Sequence, residues 1–328
     1  MRIFVTGATG FIGAAVVDDL LTAGHEVIGL ARSAAAAGKL KARGVKVHRG
    51  AIEDMDGLRR ATAEADGAVH AAFFHAFSQA SLGARLRVLV GGAPSGIVER
   101  FMTAAVEVDR RAIEALGGGL RGGGRPLVVA FPTMAMAPGR LALEDDLADP
   151  AAVGGLRARS ERAAVVLADR GVRATIVRLP PSVHDEARQG LVTRLIEVAR
   201  KTRRSGYVGN GENRWSAVHR CDAARLFRLA LETGEAGARY HAVAEHGIAM
   251  RDIAEVIAEQ LGVQAESLSR REAAQRFSWL APFVGADNPV SSLATQQRLN
   301  WVPVRPPLMV DISAALHATS AGAPATAT

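Results

Sequence analysis

Short apolar runs alternate with longer segments of helical periodicity over the first 180 residues of this chain. The short runs predict strands, and the longer segments, in which apolar residues recur every three or four positions, predict helices. We predict strands at 2–6, 26–31, 45–48, 67–72, 127–130 and 173–179, and helices at 11–21, 33–43, 55–63, 97–116 and 155–169. Strands and helices that alternate in this way are typical of an α/β fold with a doubly wound parallel sheet.

The alternation weakens beyond residue 180, where most of the remaining pattern is helical. We predict helices at 190–201, 221–231, 250–261, 270–277 and 311–316, a strand at 239–243 and a short apolar segment at 215–219. Closely spaced glycines make 206–211 a predicted turn segment. Residues 318–328 have a low-complexity composition, for which we expect disorder.

Three glycines, Gly7, Gly10 and Gly13, lie between the first predicted strand and the first predicted helix. A strand, a glycine turn and a helix in this order are the context of a dinucleotide site. Gly7 allows the tight turn, Gly10 lets backbone N–H groups approach a pyrophosphate, and Gly13 lets the helix pack closely on the strand. The helix N-terminus adds unpaired N–H groups and partial positive charge. A tight strand–helix turn without a ligand is the alternative.

The second predicted strand ends in Arg32 and Ser33. NAD-specific sites usually carry Asp or Glu at this place, where the carboxylate binds the ribose 2′-hydroxyl. A guanidinium pairs instead with a 2′-phosphate, to which Ser33 can add a hydrogen bond. We therefore predict a preference for NADP(H) over NAD(H). The alternative is that Arg32 is an exposed loop residue without a ligand.

The net charge of +7 does not point to nucleic acid, because the arginines are spread along the whole chain. The one dense cluster, at 200–204, has no interleaved aromatic residues and is typical of a solvated helix end. A single cysteine, Cys221, excludes an intrachain disulfide and indicates a cytoplasmic protein. We find no signal segment and no apolar run of membrane-spanning length, and therefore expect no membrane association. The abundance of Ala, Gly and Arg suggests a bacterial source.

Residues 73–98 interrupt the alternation after the fourth predicted strand. An insertion at this strand end can cover the ligand crevice of a doubly wound sheet or can be a surface excursion, and both alternatives stay open. His75 lies in a suitable region for a substrate contact, although a single histidine is more often structural.

Three motifs, TGATGFIG at 6–13, LPPSVHD at 179–185 and WSAVHRCDAARL at 215–226, resemble those of the extended and atypical short-chain dehydrogenase/reductases. The resemblance covers about residues 1–316. It implies a Rossmann domain that binds NAD(P), formed by 1–180 with 216–246, and a smaller, mainly helical substrate-binding domain, formed by 181–215 with 247–317. A monomer or a homodimer would be usual for the family.

The chain departs from the catalytic pattern of that family, which is a Ser or Thr after the fifth strand and Tyr-x-x-x-Lys on the next helix. Arg157 stands at the Tyr position and Glu161 at the Lys position, while Thr133 is the hydroxyl that follows the fifth strand. As candidate catalytic residues, Thr133 can hydrogen-bond a carbonyl and Arg157 can polarise one. Glu161 can move a proton if it is buried, but we expect it to face solvent. We interpret His184 and His219 as structural.

From these observations we expect an NADP(H)-dependent oxidoreductase, with NAD possible, that acts on a small or medium carbonyl or alcohol. Two alternatives stay open: a cofactor-binding regulator without turnover, which the missing dyad favours, and a sugar-nucleotide epimerase or dehydratase. The chain has no metal-ligand spacing and no G-x-S-x-G motif, so we expect neither a metal site nor a serine nucleophile. The expected cofactor contacts are Gly7, Thr9, Gly10, Phe11, Ile12, Gly13, Arg32, Ser33, Ile52, Ala71, Ala72, Phe73, Thr133 and Pro180.

Overall fold

A computed structural model describes residues 1–73 and 97–321 of the chain. The strands are β1 Arg2–Thr6, β2 Glu26–Ala31, β3 Lys46–Arg49, β4 Gly67–His70, β5 Pro126–Pro132, β6 Arg173–Leu179, β7 Ser182–His184, β8 Arg204–Val208, β9 Arg214–His219, β10 Arg239–His241, β11 Glu245–Ala249 and β12 Gln264–Leu268. The helices are α1 Phe11–Thr22, α2 Ala34–Lys41, α3 Met55–Ala63, α4 Ile97–Gly119, α5 Ala158–Asp169, α6 Val192–Thr202, α7 Arg220–Thr233, α8 Met250–Leu261, α9 Arg270–Phe277, α10 Ala281–Val284, α11 Leu293–Leu299 and α12 Leu308–Ala321.

The larger sheet has seven strands in the order β10-β6-β5-β4-β1-β2-β3, which confirms the predicted doubly wound α/β fold. β1 pairs in parallel with β2 on one side and with β4 on the other. Ile3, Phe4 and Val5 of this central strand are completely buried, because helices cover both faces of such a sheet. Strand order reverses between β1 and β4, so their carboxyl ends form the edge at which ligands bind in doubly wound sheets.

The helix predicted at 97–116 is three residues longer in the structure, because α4 continues through Gly119. A Cβ on Gly117 would lie 2.4 Å from Leu167 Cδ1 on α5, and one on Gly119 would lie 2.1 Å from Thr62 Oγ1 on α3. Helix α4 therefore uses its last glycines for close packing against its two neighbours rather than for a turn. The other predicted helices and strands of the first 180 residues are confirmed, with small shifts at their ends.

The C-terminal half contains two small sheets that the hydrophobic pattern does not predict, with strand orders β11-β9-β7 and β12-β8. Turns predicted at 206–211 are wrong for residues 206–208, which belong to β8 and pair in parallel with β12. The sequence of β12, QAESL, shows no apolar alternation. Gly206 of β8 packs closely on Leu268 of β12. Leu268 belongs to a buried apolar cluster that also includes Phe277. Long-range packing, rather than local pattern, specifies these strands.

The chain forms two compact units, the first made of Met1–Phe131, Gly154–Arg178 and Ala224–Tyr240. The second comprises Pro132–Val153, Leu179–Ala223 and the chain from His241 onward. The second unit thus includes residues 132–153, which we assigned by resemblance to the Rossmann domain. Within that unit Glu144 Oε1 accepts hydrogen bonds from the backbone N–H and the hydroxyl of Thr295.

Helix α12 continues to Ala321, four residues into the segment for which we expected disorder. The proposed insertion at 73–98, apart from Phe73 and the backbone of 97–98, lies outside the described residues, as does His75.

Candidate functional site

The turn between β1 and α1 can be built only from small residues. Gly7 has a φ of +71°, and a Cβ there would lie 2.7 Å from the backbone carbon of Ala71. A Cβ on Gly13 would lie 2.1 Å from the carbonyl oxygen of Gly7. Gly10 donates its N–H to the same oxygen at 2.8 Å and provides no side chain to cap α1. The first turn of α1 is therefore not capped by the residue that precedes it, as a phosphate-binding helix requires.

The predicted cofactor residues of the first unit follow β1, β2, β3 and β4. Ala71, Ala72 and Phe73 are partly buried after β4, beside the glycine turn. Arg32 is exposed after β2, and Ile52 is buried. The remaining predicted contacts on the turn, Thr9, Phe11 and Ile12, are exposed or partly buried.

Ser33 caps α2, because its Oγ accepts the N–H of Ala36 at 3.1 Å. Serine at the start of a helical pattern is the usual sequence signal for such a cap, which we did not predict.

Thr133 and Pro180 belong to the second unit, where both are buried. The Thr133 hydroxyl donates to Asn288 Oδ1 at 2.8 Å, and the Asn288 amide donates back to the Thr133 carbonyl oxygen at 3.0 Å. These two bonds tie the segment after β5 to a residue 155 positions later. The hydroxyl proton of Thr133 is thus already donated within the protein.

Arg157 lies one residue before α5, at the carboxyl ends of β4 and β5. Its Nη2 donates to the carbonyl oxygen of Ala130 at 2.9 Å and lies 3.3 Å from Asp109 Oδ2. The guanidinium carbon lies 4.0 Å from the centre of the Phe73 ring, a cation–π contact. The side chain of Arg157 is 11% exposed. A nearly buried positive charge therefore lies beside Phe73, one of the predicted cofactor contacts.

A buried polar network lies behind Arg157. Asp109 on α4 is completely buried, and its Oδ1 lies 3.2 Å from His70 Nε2. His70 Nδ1 lies 2.7 Å from Thr6 Oγ1. Burial alone raises the pKa of Asp109, but the charge of Arg157 and the hydrogen bond with His70 together bring it below its usual value. Asp109 is therefore the ionised partner of Arg157.

Sequence reasoning missed Asp109 and His70, although one signal for Asp109 was present. Asp109 occupies the apolar face of α4, at helical spacing from Val106, Ile113 and Leu116. A carboxylate on a buried helix face requires a buried partner, which here is Arg157.

Glu161 is buried, so the expectation that it faces solvent is wrong. Its Oε1 accepts a hydrogen bond from Arg178 Nη2 at 2.6 Å and another from Arg239 Nε. Arg178 is on β6 and completely buried, and Arg239 is on β10. Helix α5 directs Glu161 toward the sheet, where the two arginines of neighbouring strands surround it. Glu161 thus joins α5 to β6 and β10, and no contact with a ligand is needed to explain its burial.

His184 lies in the core of the second unit, as we predicted for a structural histidine. Its Nδ1 lies 2.7 Å from Asp311 Oδ2, its Nε2 lies 3.9 Å from Glu245 Oε2, and its ring meets that of His219 edge-on. Burial, with a contribution from His219, lowers the pKa of His184 to about 4. Burial raises the pKa of both Asp311 and Glu245.

We expect His184 to make the second unit less stable in acid. Between pH 6.5 and 4 the unfolded chain binds a proton at this residue and the folded chain does not, so stability falls as the pH is lowered through this window. The raised pKa values of Asp311 and Glu245 act in the opposite sense, because the folded carboxyls bind protons first. Urea unfolding at several pH values should therefore show a smaller loss in acid for His184→Gln than for the wild type, whereas exposed His317→Gln should match the wild type. Equal pH profiles for His184→Gln and wild type would contradict this assignment.

Among the residues that the structure describes, no group of three or more His, Cys, Asp or Glu side chains is arranged to hold a metal ion. Over the same ranges, no helix is both long enough and apolar enough to span a membrane.

Comparison with known proteins gives relatives along almost the whole chain. The model of the NAD dependent epimerase/dehydratase family matches residues 3–90. An uncharacterised protein of Schizosaccharomyces pombe is 43% identical over 315 residues, covering 95% of this chain and 98% of its own length. A second uncharacterised protein, from Saccharomyces cerevisiae, is 40% identical over 316 residues, covering 96% and 98%. These two relatives are from yeasts and give no support to the bacterial source suggested by composition.

More distant matches have named activities. A 2-alkyl-3-oxoalkanoate reductase of Stenotrophomonas maltophilia is 26% identical over 245 residues, covering 73% of this chain and 67% of its own length. The crystal structure of the dTDP-glucose 4,6-dehydratase DesIV from Streptomyces venezuelae, with NAD and TYD bound, has a TM-score of 0.72. It is 18% identical and covers 98% of each chain, so it shows a shared fold.

Proposed function

Because the chain belongs to the extended and atypical short-chain dehydrogenase/reductases, we propose that it is an NADP(H)-dependent oxidoreductase acting on the carbonyl or alcohol group of a small molecule. The observation that carries the proposal is the glycine turn beside Phe73 and Arg157, at the reversal of strand order. The proposed cofactor site would thus lie next to a positive charge that can act on a substrate oxygen, at neighbouring strand ends.

The glycine turn fits a dinucleotide. Side chains at Gly7 and Gly13 would collide with backbone atoms, so the turn is packed as tightly as a pyrophosphate site requires. Gly7, Gly10 and the first turn of α1 would hold the pyrophosphate, and Ala71 with Ala72 would leave room beside it. When bound, the nicotinamide cofactor supplies the hydride chemistry.

Arg157 takes the place of the family's tyrosine but cannot do the same chemistry. A guanidinium stays charged at any physiological pH, so it stabilises negative charge on an oxygen without delivering a proton to it. The proton of an alcohol product would then come from water. A site with a guanidinium in place of a proton donor should therefore best suit substrates whose oxygen is negatively charged in the transition state.

Named relatives support carbonyl chemistry. Besides the 3-oxoalkanoate reductase, a ketoreductase of Stigmatella aurantiaca acting on a farnesyl quinoline oxide is 26% identical over 273 residues. The second candidate function is a cofactor-binding regulator without turnover. This second function is favoured because both candidate proton carriers are already engaged within the protein. Thr133 is hydrogen-bonded to Asn288, and Glu161 is hydrogen-bonded to two arginines.

Calorimetric titration with NADPH and NADH, followed by NADPH oxidation assays with 3-oxo acids, ketones and aldehydes, tests the proposal. We expect tighter binding of NADPH and turnover with at least one carbonyl class. Binding without turnover would favour the regulator, and binding of neither cofactor would overturn both candidates.

Arg32→Ala should weaken NADPH binding far more than NADH binding. The reason is the loss of a charge-assisted hydrogen bond to the 2′-phosphate, worth about 1.5–3 kcal/mol, or roughly 10- to 100-fold in affinity. Lys39→Ala is the matched control, because Lys39 is also basic and exposed but lies on α2 away from the strand end. Equal losses for the two cofactors would mean that Arg32 does not recognise the 2′-phosphate.

A further inference from the structure

Resting on the proposed function, we infer that Asp109 is the positioning residue for Arg157, and that His70 and Thr6 hold Asp109 in place. Through this network, β1 and β4, the two strands beside the glycine turn, set the orientation of the Arg157 guanidinium. None of these three residues belongs to the family's usual catalytic set.

Arg157 needs such a device because its side chain is long and flexible. The hydrogen bond from Nη2 to Ala130 does not by itself define the orientation of a guanidinium that can rotate about four side-chain bonds. Phe73 covers one face of the group at 4.0 Å, and Asp109 provides the negative charge 3.3 Å from Nη2. A charge that is about nine-tenths buried is stable only with a buried counter-charge.

Asp109 is itself held by a hydrogen bond through its other carboxylate oxygen. Since Asp109 is ionised and can only accept, His70 donates to it from Nε2, and the Nδ1 of His70 is hydrogen-bonded to the Thr6 hydroxyl. Every member of the network has a hydrogen-bonding or charged partner, which is the condition for a rigid buried network.

Two members of the network directly precede residues of the candidate site. Thr6 is the last residue of β1 and directly precedes Gly7, while His70 is the last residue of β4 and directly precedes Ala71. Asp109 lies on α4 and so connects this helix to the two strands. The guanidinium is therefore fixed relative to the two strand ends beside which the cofactor would lie.

One atom of Arg157 remains available. Its Nε is buried and has no hydrogen-bond partner among the described residues. A buried N–H without a partner is costly, and in an enzyme such a donor is commonly reserved for a ligand oxygen. The Asp109 contact at Nη2 holds the group in one orientation while leaving Nε for that oxygen.

Asp109→Asn tests the inference, because it removes the charge and keeps the shape. We expect kcat for the carbonyl substrate found in the assays above to fall by roughly 10- to 100-fold, because the ion pair that orients Arg157 is lost, while the NADPH affinity changes less than about twofold. Arg157→Met should give a similar loss, and the double variant should be no slower than Arg157→Met alone. Glu107→Gln, on the exposed side of α4, should leave kcat unchanged.

A second readout does not need turnover. In protein labelled with ¹⁵N-arginine, the Arg157 Nε–H resonance, assigned by its loss in Arg157→Lys, should exchange with solvent at least about tenfold faster in Asp109→Asn. Unchanged exchange would overturn the positioning role, as would additive losses of kcat in the double variant. If the wild type binds NADPH without turnover, the proposed function fails, and the exchange measurement alone decides whether Asp109 positions Arg157.

Discussion

Gly13→Ala is expected to destabilise the first unit by at least about 3 kcal/mol, because the new methyl group overpacks the turn. Its Cβ would lie 2.1 Å from the carbonyl oxygen and 2.7 Å from the carbonyl carbon of Gly7. Both are backbone atoms directly after the buried end of β1, so α1 must move away from β1 to make space. Thermal or urea unfolding measures the loss, and we expect NADPH binding to disappear with it.

Two other glycines make controls. At Gly38, on α2, a Cβ meets nothing within 4 Å, so Gly38→Ala should be neutral or stabilise the helix by about 0.5–1 kcal/mol. At Gly10 a Cβ meets only the Gly7 oxygen, at 3.1 Å. Gly10→Val should therefore leave most of the stability but abolish cofactor binding, because its side chain would meet the pyrophosphate. A Gly13→Ala protein as stable as Gly38→Ala would contradict the tight turn, and full NADPH affinity in Gly10→Val would contradict the cofactor site.

Glu161→Gln is expected to cost about 3 kcal/mol of stability, the second large effect. The substitution keeps the size of the side chain but leaves Arg178 and Arg239 without the carboxylate that both now contact. Arg178 is completely buried, so solvent cannot replace the lost interaction. Urea unfolding at neutral pH is the appropriate measurement.

Glu107→Gln provides the comparison, since Glu107 pairs with Arg110 on the surface of α4 with its side chain 47% exposed. Exposed pairs contribute little, so we expect a change within about 0.5 kcal/mol. Equal effects of the two substitutions would show that the buried cluster around Glu161 adds no more than a surface ion pair. If Glu161→Gln kept full stability and lost only turnover, a catalytic role for Glu161 would replace the structural one.

Local signals were sufficient for most of the first unit of the fold. Central strands buried on both faces are continuous apolar runs, and the glycine turn requires glycines at fixed offsets, so both are visible without knowledge of the partners. The region of the candidate catalytic residues was harder to predict. Arg157 and Glu161 were found only through the resemblance, which aligns them with the family's Tyr and Lys, and their surroundings were not foreseen.

The doubly wound sheet, the positions of Gly7, Gly10 and Gly13, and the exposed Arg32 after the second strand could be predicted, because each depends on residues adjacent in the chain. The contacts of the buried charged residues became clear only once the packing of the elements was known. Asp109 meets a guanidinium 48 residues later, and Glu161 meets one 78 residues later. The strands β8 and β12 pair across a similar separation. Such contacts depend on which elements pack together, and no local pattern of apolar and polar residues carries that information.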